Sequence, residues 1–307
     1  MNRRVFAQSL AAAAVAAASP SSPAASNTSA FGIESAAAQG PFGISIMLWT
    51  VFNKLPFEQR LEKVAEAGYR NVELVGEYHG WTADQFSSAN AARKRLGIRF
   101  DATAGMKHGV ANPSTLEAMV AELGVELKAM ETLGIPAMIV LSGNVVPGVP
   151  RAAQHESCVE TLKRLAGAIE GKQIEGQPAK ILLECIDPEE NPKIYLSSAA
   201  EAMEIVRKVN HPQVRFLYDL FHEQIAEGNL IEKLEKNIDT VDLIHIADVP
   251  GRHEPGTGEI NFTNIYRTLG RLKYKGMVAM EFYPTGDPVA MLRDQKNFAW
   301  ASAKGAV

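Results

Sequence analysis

The chain has 307 residues, a formal net charge of -4, 46% hydrophobic residues and 21% charged residues. This composition is typical of a globular protein that is long enough to build a large core. The mild acidity and the lack of a basic stripe argue against nucleic acid as the main partner, and two cysteines, Cys158 and Cys185, do not make a disulfide framework.

The first 40 residues differ from the rest of the chain. In MNRRVFAQSLAAAAVAAAS, Arg3, Arg4 and Phe6 precede an alanine-rich run, which resembles a twin-arginine export signal. The alternative is a frayed alanine-rich helix. Residues 20–40 are rich in Ser, Pro and Ala, which predicts a cleavage region and flexible linker. We therefore expect residues 1–40 to be a signal and linker, and the mature protein to be periplasmic, with no membrane span after processing.

From Phe42 onward, short β-rich runs alternate with longer helical patterns. Eight of these runs are nearly continuous in apolar residues, as expected for strands that are covered on both faces. They are FGISIML (42–48), RNVELV (70–75), IRFDAT (98–103), PAMIVL (136–141), AKILLE (179–184), VRFLYD (214–219), VDLIHI (241–246) and GMVAME (276–281).

The intervening segments carry helical spacing and helix-terminus signals. Residues 56–68 place apolar side chains at helical intervals. Gly134 predicts the end of one helix, Ser197 or Ser198 can cap the start of another, and Asn261 can cap a third. Each predicted strand is thus followed by a predicted helix.

Strands that alternate with helices imply parallel strands with right-handed crossovers. Eight such units over residues 41–307 predict a single (β/α)8 TIM barrel in the α/β class. The alternative is a doubly wound open sheet, which would carry a glycine-rich fingerprint after the first strand. The segment LWTVFNKLP contains no such fingerprint.

Four consecutive predicted strands end in side chains that can bind a metal. These are Glu184, Asp219, His245 and Glu281, from the fifth to the eighth strand. In a TIM barrel they share the catalytic rim. Separately, each could be a solvated loop residue or a structural residue, but four charges on one rim need neutralising. We expect one divalent cation there: Mn²⁺, Mg²⁺ or Co²⁺, with Zn²⁺ as a further option.

This donor set suits proton transfer in an α-hydroxy carbonyl compound. Such a substrate chelates the metal, which stabilises the developing enediolate, while Glu184 and Glu281 remove and return a proton. Arg252 offers a forked donor to a substrate carboxylate or hydroxyls, or else is a surface arginine. His222 orients a substrate oxygen, or else is structural. Asp248 and its loop neighbours are expected to shape the loop.

Two further features have two interpretations each. The segment Gly256-Thr257-Gly258 could bind phosphate, but a tight turn that leads to the Asn261 cap is the simpler prediction. A set of aromatic residues after the early strands could line the pocket or pack in the core. They are Trp49, Phe52, Tyr78 and Trp81.

The block HIADVPGRHEPGTGEI (245–260), together with LYDLFHEQIAEG (217–228) and MEFYP (280–284), closely resembles the hydroxypyruvate isomerase family. That family belongs to the xylose-isomerase-like barrels, which include the ketose 3-epimerases. The similarity extends from about Phe42 to about Pro288.

The resemblance implies a (β/α)8 fold and one divalent metal. It places the four strand-end residues named above on the metal-ligand positions, and Glu184 and Glu281 on the pair that moves the proton. His222 and Arg252 match substrate-binding positions, and Glu190 matches a further substrate contact in the epimerases.

The chain departs from the family pattern at several points. The third ligand is often Gln in hydroxypyruvate isomerases, whereas here it is His245, as in the epimerases. Glu-Pro-Ile-Asn commonly follows the fifth strand, whereas this chain has Glu184-Cys185-Ile186-Asp187. Export is also unexpected for an enzyme of a cytoplasmic metabolite. These departures bear on the substrate.

The leading hypothesis is a metal-dependent isomerase that converts hydroxypyruvate to tartronate semialdehyde. The nearest alternative is a ketose 3-epimerase or another enzyme of keto-sugars. A multi-zinc phosphodiesterase would need more rim histidines than a chain with seven histidines offers. An exported, non-catalytic sugar-binding protein would not need both Glu184 and Glu281. The expected partner is a small hydroxy-carbonyl or sugar substrate, and the sequence leaves a homo-oligomer open.

Overall fold

A computed structural model describes residues 40–306 of the chain. The predicted export signal, and all of the predicted linker except Gly40, lie outside the described residues. Within the described range, no helix combines the length and the apolar character that a membrane crossing requires. Cys158 and Cys185 are both buried and free.

Ten strands form between residues 40 and 306, and eight of them coincide with the predicted β-rich runs to within two residues at each end. They are β1 Gly43–Met47, β2 Asn71–Val75, β3 Arg99–Ala104, β4 Ala137–Leu141, β5 Gln173–Ile174, β6 Gln177–Pro178, β7 Lys180–Glu184, β8 Val214–Asp219, β9 Val241–Ile246 and β10 Met277–Met280. Strands β5 and β6 make a small antiparallel hairpin that the sequence pattern did not predict.

The other eight strands close into a barrel in the order β1-β10-β9-β8-β7-β4-β3-β2. All of their pairings are parallel, and β1 closes the barrel by pairing with both β10 and β2. The predicted (β/α)8 fold is therefore confirmed, and the open doubly wound sheet is wrong. Parallel pairing brings the carboxyl ends of all eight strands to the same face of the barrel.

Nine helices surround the barrel within residues 40–306. They are α1 Phe57–Glu66, α2 Ala83–Leu96, α3 Leu116–Leu133, α4 Arg151–Ile169, α5 Ala199–Val209, α6 Leu220–Ala226, α7 Leu230–Asn237, α8 Phe262–Arg271 and α9 Pro288–Ala303.

The predicted helix-terminus signals act as expected. The side chain of Ser198 accepts a hydrogen bond from the N–H of Glu201, and the side chain of Asn261 accepts one from the N–H of Asn264. Gly134 ends α3 in the left-handed conformation, with φ at 72°. These contacts satisfy backbone groups that a helix end leaves unpaired.

Strand alternation determines which side chains point to the barrel axis. A cluster of buried apolar residues from the strands fills the interior and includes Leu182, Leu217, Leu243 and Ala279. Each of the four predicted ligands lies two residues after one of these, and side chains two apart lie on the same face of a strand. The interior packing therefore aims all four predicted ligands inward, above the apolar layer.

Candidate metal centre and substrate pocket

Glu184, Asp219, His245 and Glu281 converge at the carboxyl end of the barrel. All four are buried, and one potential ligand atom from each lies within 4.8 Å of the others. The Nδ1 atom of His245 lies 2.7 Å from Oε2 of Glu281, 3.7 Å from Oε1 of Glu184 and 3.9 Å from Oδ2 of Asp219. The structure thus brings together the four residues that the sequence pattern singled out.

Two atoms in this cluster test whether a metal fits. Nδ1 of His245 and Oε2 of Glu281 are buried and lie 2.7 Å apart, yet neither makes a hydrogen bond of acceptable geometry with any described residue. A buried polar atom without a hydrogen bond costs about 1–3 kcal/mol. A cation between them would satisfy both atoms. Three carboxylates and one imidazole also form a donor set that divalent metals accept, so the residues present fit a metal ion.

The two glutamates differ in proton affinity. Burial raises the pKa of Glu184 to about 8, and the negative charges of Glu281 and Asp219 add to that effect. Burial alone would also raise the pKa of Glu281, but the neighbouring His245 and Arg252 outweigh it and lower that pKa. Environments that push the pKa values of two carboxyl groups apart suit them to the acid and base roles of a proton transfer.

Glu73 is a residue of the site that the sequence pattern did not reveal. It lies in the middle of β2, is fully buried, and its Oε2 is 2.9 Å from Nε2 of His245. Burial would lower the pKa of His245, but the charges of Glu281 and Glu73 outweigh it and raise that pKa. The available signal was a charged residue inside an otherwise apolar strand, NVELV.

The aromatic residues divide between the pocket and the core. The indole N–H of Trp49 donates a 2.8 Å hydrogen bond to Oε1 of Glu281. Its ring also meets that of Tyr283 edge-on, with 5.6 Å between ring centroids. Trp49 therefore contacts the candidate metal cluster. The other three candidates contribute to the hydrophobic core: Phe52, Tyr78 and Trp81.

Arg252 connects the metal cluster to the predicted substrate-binding residues. Its Nη2 lies 2.8 Å from Oε2 of Glu281, and its Nη1 lies 2.9 Å from Oε2 of Glu190. The guanidinium is buried and lies over the ring of Phe221, 4.9 Å from the centroid. Arg252 is therefore not a solvated surface residue. Its guanidinium group lies beside the metal cluster.

His222 lies on the same side of the pocket. Its Nδ1 is 2.6 Å from Oδ2 of Asp187, and its Nε2 is 3.5 Å from Oδ2 of Asp219. Burial would lower the pKa of His222, but the negative charges of Asp219 and Glu184 outweigh it. Asp187 was also missed in the sequence. Its Oδ1 accepts the N–H groups of Glu189 and Glu190, so it shapes the loop that carries Glu190.

Asp187, Glu190 and His222 form a second group with metal-ligand spacing. The guanidinium of Arg252, however, lies within 2.9 Å of Glu190 and 3.4 Å of Nε2 of His222. Unlike the first cluster, this group has no buried atom without a hydrogen bond among the described residues, because Asp187 pairs with His222 and Glu190 pairs with Arg252. This group is therefore better suited to hold substrate oxygens than a second metal.

Asp248 organises the loop that carries Arg252. It is fully buried, and its carboxylate accepts the N–H groups of Val249, Gly256, Gly258 and Ile260 at 2.9–3.0 Å. A Cβ at Gly258 would lie 2.0 Å from the carbonyl oxygen of Val249, so only glycine fits there. The glycine segment is therefore a tight turn that directs its N–H groups to Asp248 and not toward a phosphate.

His253 and Glu254, the loop neighbours of Arg252, also shape this loop. Nδ1 of His253 lies 2.8 Å from the carbonyl oxygen of Tyr283, and Glu254 accepts hydrogen bonds from the N–H and the hydroxyl of Thr285. Both contacts join the loop after β9 to the loop after β10. These contacts hold the loop that carries Arg252 against the loop after β10.

Comparisons with known proteins agree with this geometry. The family model described as "Xylose isomerase-like TIM barrel" matches residues 61–300. A relative from Danio rerio, provisionally named a hydroxypyruvate isomerase, is 30% identical over 269 residues, which cover 83% of this chain and 94% of the relative. The "2-oxo-tetronate isomerase" of Pectobacterium atrosepticum is 28% identical and covers 82% of this chain and 93% of its own.

Among solved structures, one titled as an AP endonuclease, family 2, from Brucella melitensis superposes with a TM-score of 0.72. It is 26% identical and covers 83% of this chain and 97% of that chain. The family model matches well over half of the sequence. The two named relatives are isomerases, and their alignments with this chain cover nearly their whole length. The chain therefore belongs to the xylose isomerase-like TIM-barrel family and is an isomerase.

Proposed function

We propose that this isomerase is metal-dependent and acts on α-hydroxy carbonyl compounds, in the manner of hydroxypyruvate isomerase, which interconverts hydroxypyruvate and tartronate semialdehyde. The observation that carries the proposal is the pair Glu184 and Glu281, two buried carboxyl groups that lie 3.7 Å and 2.7 Å from Nδ1 of one potential metal ligand, His245. The isomerase names of the relatives support the same reaction class.

The reaction moves one proton between two adjacent carbon atoms. Glu281 is held ionised by Arg252 and by the indole N–H of Trp49, so it suits the base that removes the proton beside the carbonyl. Glu184, whose Oε1 lies 3.7 Å from Nδ1 of His245, suits the group that returns a proton to the neighbouring carbon. The hydroxyl proton passes to the former carbonyl oxygen, so the formula is unchanged.

The residues around the pair hold the cation and the substrate. A divalent cation bound by Glu184, Asp219, His245 and Glu281 supplies positive charge that stabilises the negative charge developing on the substrate oxygens. Mn²⁺, Mg²⁺ and Co²⁺ suit this oxygen-rich set best, and Zn²⁺ is a further option.

Three side chains are proposed to position the substrate. Arg252 offers its fork to a substrate carboxylate, in exchange for its contact with Glu190. Glu190 is half-exposed and free to turn toward a hydroxyl group. His222 directs Nε2 toward the pocket because Asp187 holds its Nδ1.

A ketose 3-epimerase is the second candidate, and two observations favour it. The third candidate ligand is His245, and the rings of Trp49 and Tyr283 meet edge-on beside Glu281, where they offer aromatic surface to a sugar. In that reaction, the two glutamates would act on opposite faces of one carbon. Export to the periplasm, proposed from Arg3, Arg4 and Phe6 alone, would also agree with a sugar-derived substrate.

Hydrolysis of phosphodiesters by several zinc ions has less support. Three of the histidines that such a site would recruit pair instead with glutamates on the surrounding helices. These pairs are His79 with Glu126, His108 with Glu122 and His155 with Glu201.

Proton exchange in D₂O tests the proposal. The protein is incubated with Mn²⁺ and, in turn, with hydroxypyruvate and a panel of ketoses, and proton loss beside the carbonyl is followed by NMR. We expect metal-dependent deuterium uptake, which is lost with chelator and in Glu281→Gln. The labelled carbon separates an isomerase from an epimerase. Exchange that persists in the presence of chelator would contradict the metal model, and no exchange with any substrate would contradict the proposed chemistry.

A further inference from the structure

Glu73 contacts His245 across the interior of the barrel. Strands β2 and β9 are not neighbours, because β1 and β10 lie between them in the barrel order. The 2.9 Å contact between Oε2 of Glu73 and Nε2 of His245 therefore spans the barrel below the metal cluster. Both side chains are almost fully buried, and the other oxygen of Glu73 has no hydrogen-bond partner among residues 40–306.

This contact determines which nitrogen of His245 is available to a metal. An imidazole that donates its Nε2 proton carries its lone pair on Nδ1. Nδ1 is the atom that faces the other three candidate ligands, and it lies 2.7 Å from Oε2 of Glu281 without a hydrogen bond of acceptable geometry. With the opposite tautomer, a proton on Nδ1 would occupy the position that a cation needs, and Nε2 would face the carboxylate of Glu73 without a proton.

We propose that Glu73 is a positioning residue of the metal centre. It holds His245 in the tautomer and ring orientation that present Nδ1 to the cation, and it does so from inside the barrel, without touching the metal or the substrate. A carboxylate that accepts the second N–H of a metal-bound histidine also makes the imidazole a stronger ligand. The inference rests on the proposed metal-binding role of His245.

Variants at position 73 separate this role from general support of the fold. We expect Glu73→Ala to weaken the binding of Mn²⁺ or Zn²⁺ about 10–100-fold, as measured by calorimetric titration, because such partners typically contribute that much to metal affinity. Glu73→Gln keeps an oxygen that accepts from Nε2, so we expect it to restore most of the affinity and lose about tenfold at most.

Asp101 provides the matched control. It is another buried carboxyl group of the barrel interior, on β3, but its hydrogen bond comes from the hydroxyl of Ser45 at 2.7 Å and not from His245. Asp101→Asn keeps an acceptor for Ser45 and removes a similar buried carboxyl group. We expect it to leave the metal affinity unchanged within about threefold, since no ligand depends on it for orientation.

Histidine-selective ¹⁵N NMR of the wild-type protein with Zn²⁺ gives a second measurement, which does not depend on any variant folding. We expect His245 to show a protonated Nε2 and a metal-bound Nδ1. A protonated Nδ1, or Glu73→Ala that binds metal as tightly as the wild type, would overturn the role of Glu73 while the proposed function stands. A wild-type protein that binds neither Mn²⁺ nor Zn²⁺ would overturn the proposed metal centre, and this inference with it.

Discussion

The two halves of the barrel share one architecture but place different polar side chains around the barrel axis. Strands β7 to β10 deliver the four candidate ligands to the rim, with an apolar layer of Leu182, Leu217 and Leu243 beneath. Strands β1 to β4 end in Met47, Val75, Ala104 and Leu141. Their polar side chains lie within the strands instead, as Ser45, Glu73 and Asp101, and all of these are buried. The second half thus presents the reacting groups, and the first half supports one of them, His245, through Glu73.

The largest expected effect is a difference in kcat between a variant of a rim glutamate and a variant of an interior glutamate. Glu281→Gln keeps the shape of the side chain but removes the base, so we expect kcat to fall about 10²–10⁴-fold. Glu73→Gln in the first half should lower kcat about tenfold at most, because the amide oxygen still accepts from His245. Steady-state kinetics on the substrate identified by proton exchange measures both. Equal losses of kcat in the two variants would contradict the distinction between the two halves.

The next effect concerns Arg252, whose guanidinium group is proposed to bind the substrate. Arg252→Lys keeps the charge but loses the paired N–H groups, so we expect KM to rise about 10–100-fold, in line with about 1.5–3 kcal/mol for hydrogen bonds to charged groups. The matched control is Arg95→Lys on the first-half helix α2, where Arg95 makes an exposed ion pair with Glu62. It should leave KM unchanged. A normal KM in Arg252→Lys would remove Arg252 from substrate binding.

Metal binding should stabilise the fold through the candidate ligands of the second half. At a concentration of about 100 times Kd, Mn²⁺ should add about 2.7 kcal/mol to the free energy of unfolding, which raises Tm by several degrees. We expect His245→Ala to abolish this increase and Asp101→Asn to preserve it. Thermal melts of each variant with and without Mn²⁺ provide the test. A shift that survives in His245→Ala would place the cation elsewhere.

The smallest effect tests the pH dependence of the second half. Burial raises the pKa of Glu223, on α6, to about 7, although its ion pair with Lys233 opposes the shift. The folded state therefore binds this proton more tightly than the unfolded state. The stability that the proton contributes is complete below about pH 4.5 and is lost as the pH rises through about 7.

Glu223→Gln should flatten that part of the stability curve. Urea unfolding between pH 4.5 and 7.5 would show a shallower decline than in the wild type. The first-half variant Glu122→Gln concerns a glutamate whose pKa is lowered by hydrogen bonds from Lys107 and His108 that outweigh burial. It should leave the decline of stability over the same pH range unchanged. Identical slopes in Glu223→Gln and the wild type would exclude this group as the source.

The rim could be predicted from sequence because strand alternation is local information. Each apolar run predicts a strand, and the alternation of side chains along it predicts which side its last residue faces. This holds for the runs that end in Glu184, Asp219 and Glu281. The support for His245 could not be predicted in the same way. Glu73 is 172 positions away in the chain, and the contact exists only because the barrel closes. The hairpin of β5 and β6 was missed because two-residue strands leave no periodic pattern.

Trp49 gives the site an intrinsic optical reporter. The chain has three tryptophans, Trp49, Trp81 and Trp300. Trp81 packs between Phe57 and Phe86, and the indole N–H of Trp300 faces the carbonyl of Phe42, so neither shares a contact with the metal cluster. The indole of Trp49 instead donates directly to Glu281. Any cation or substrate that engages Glu281 will therefore alter the emission of one tryptophan in three, and occupancy of the site becomes visible in a fluorimeter without a label.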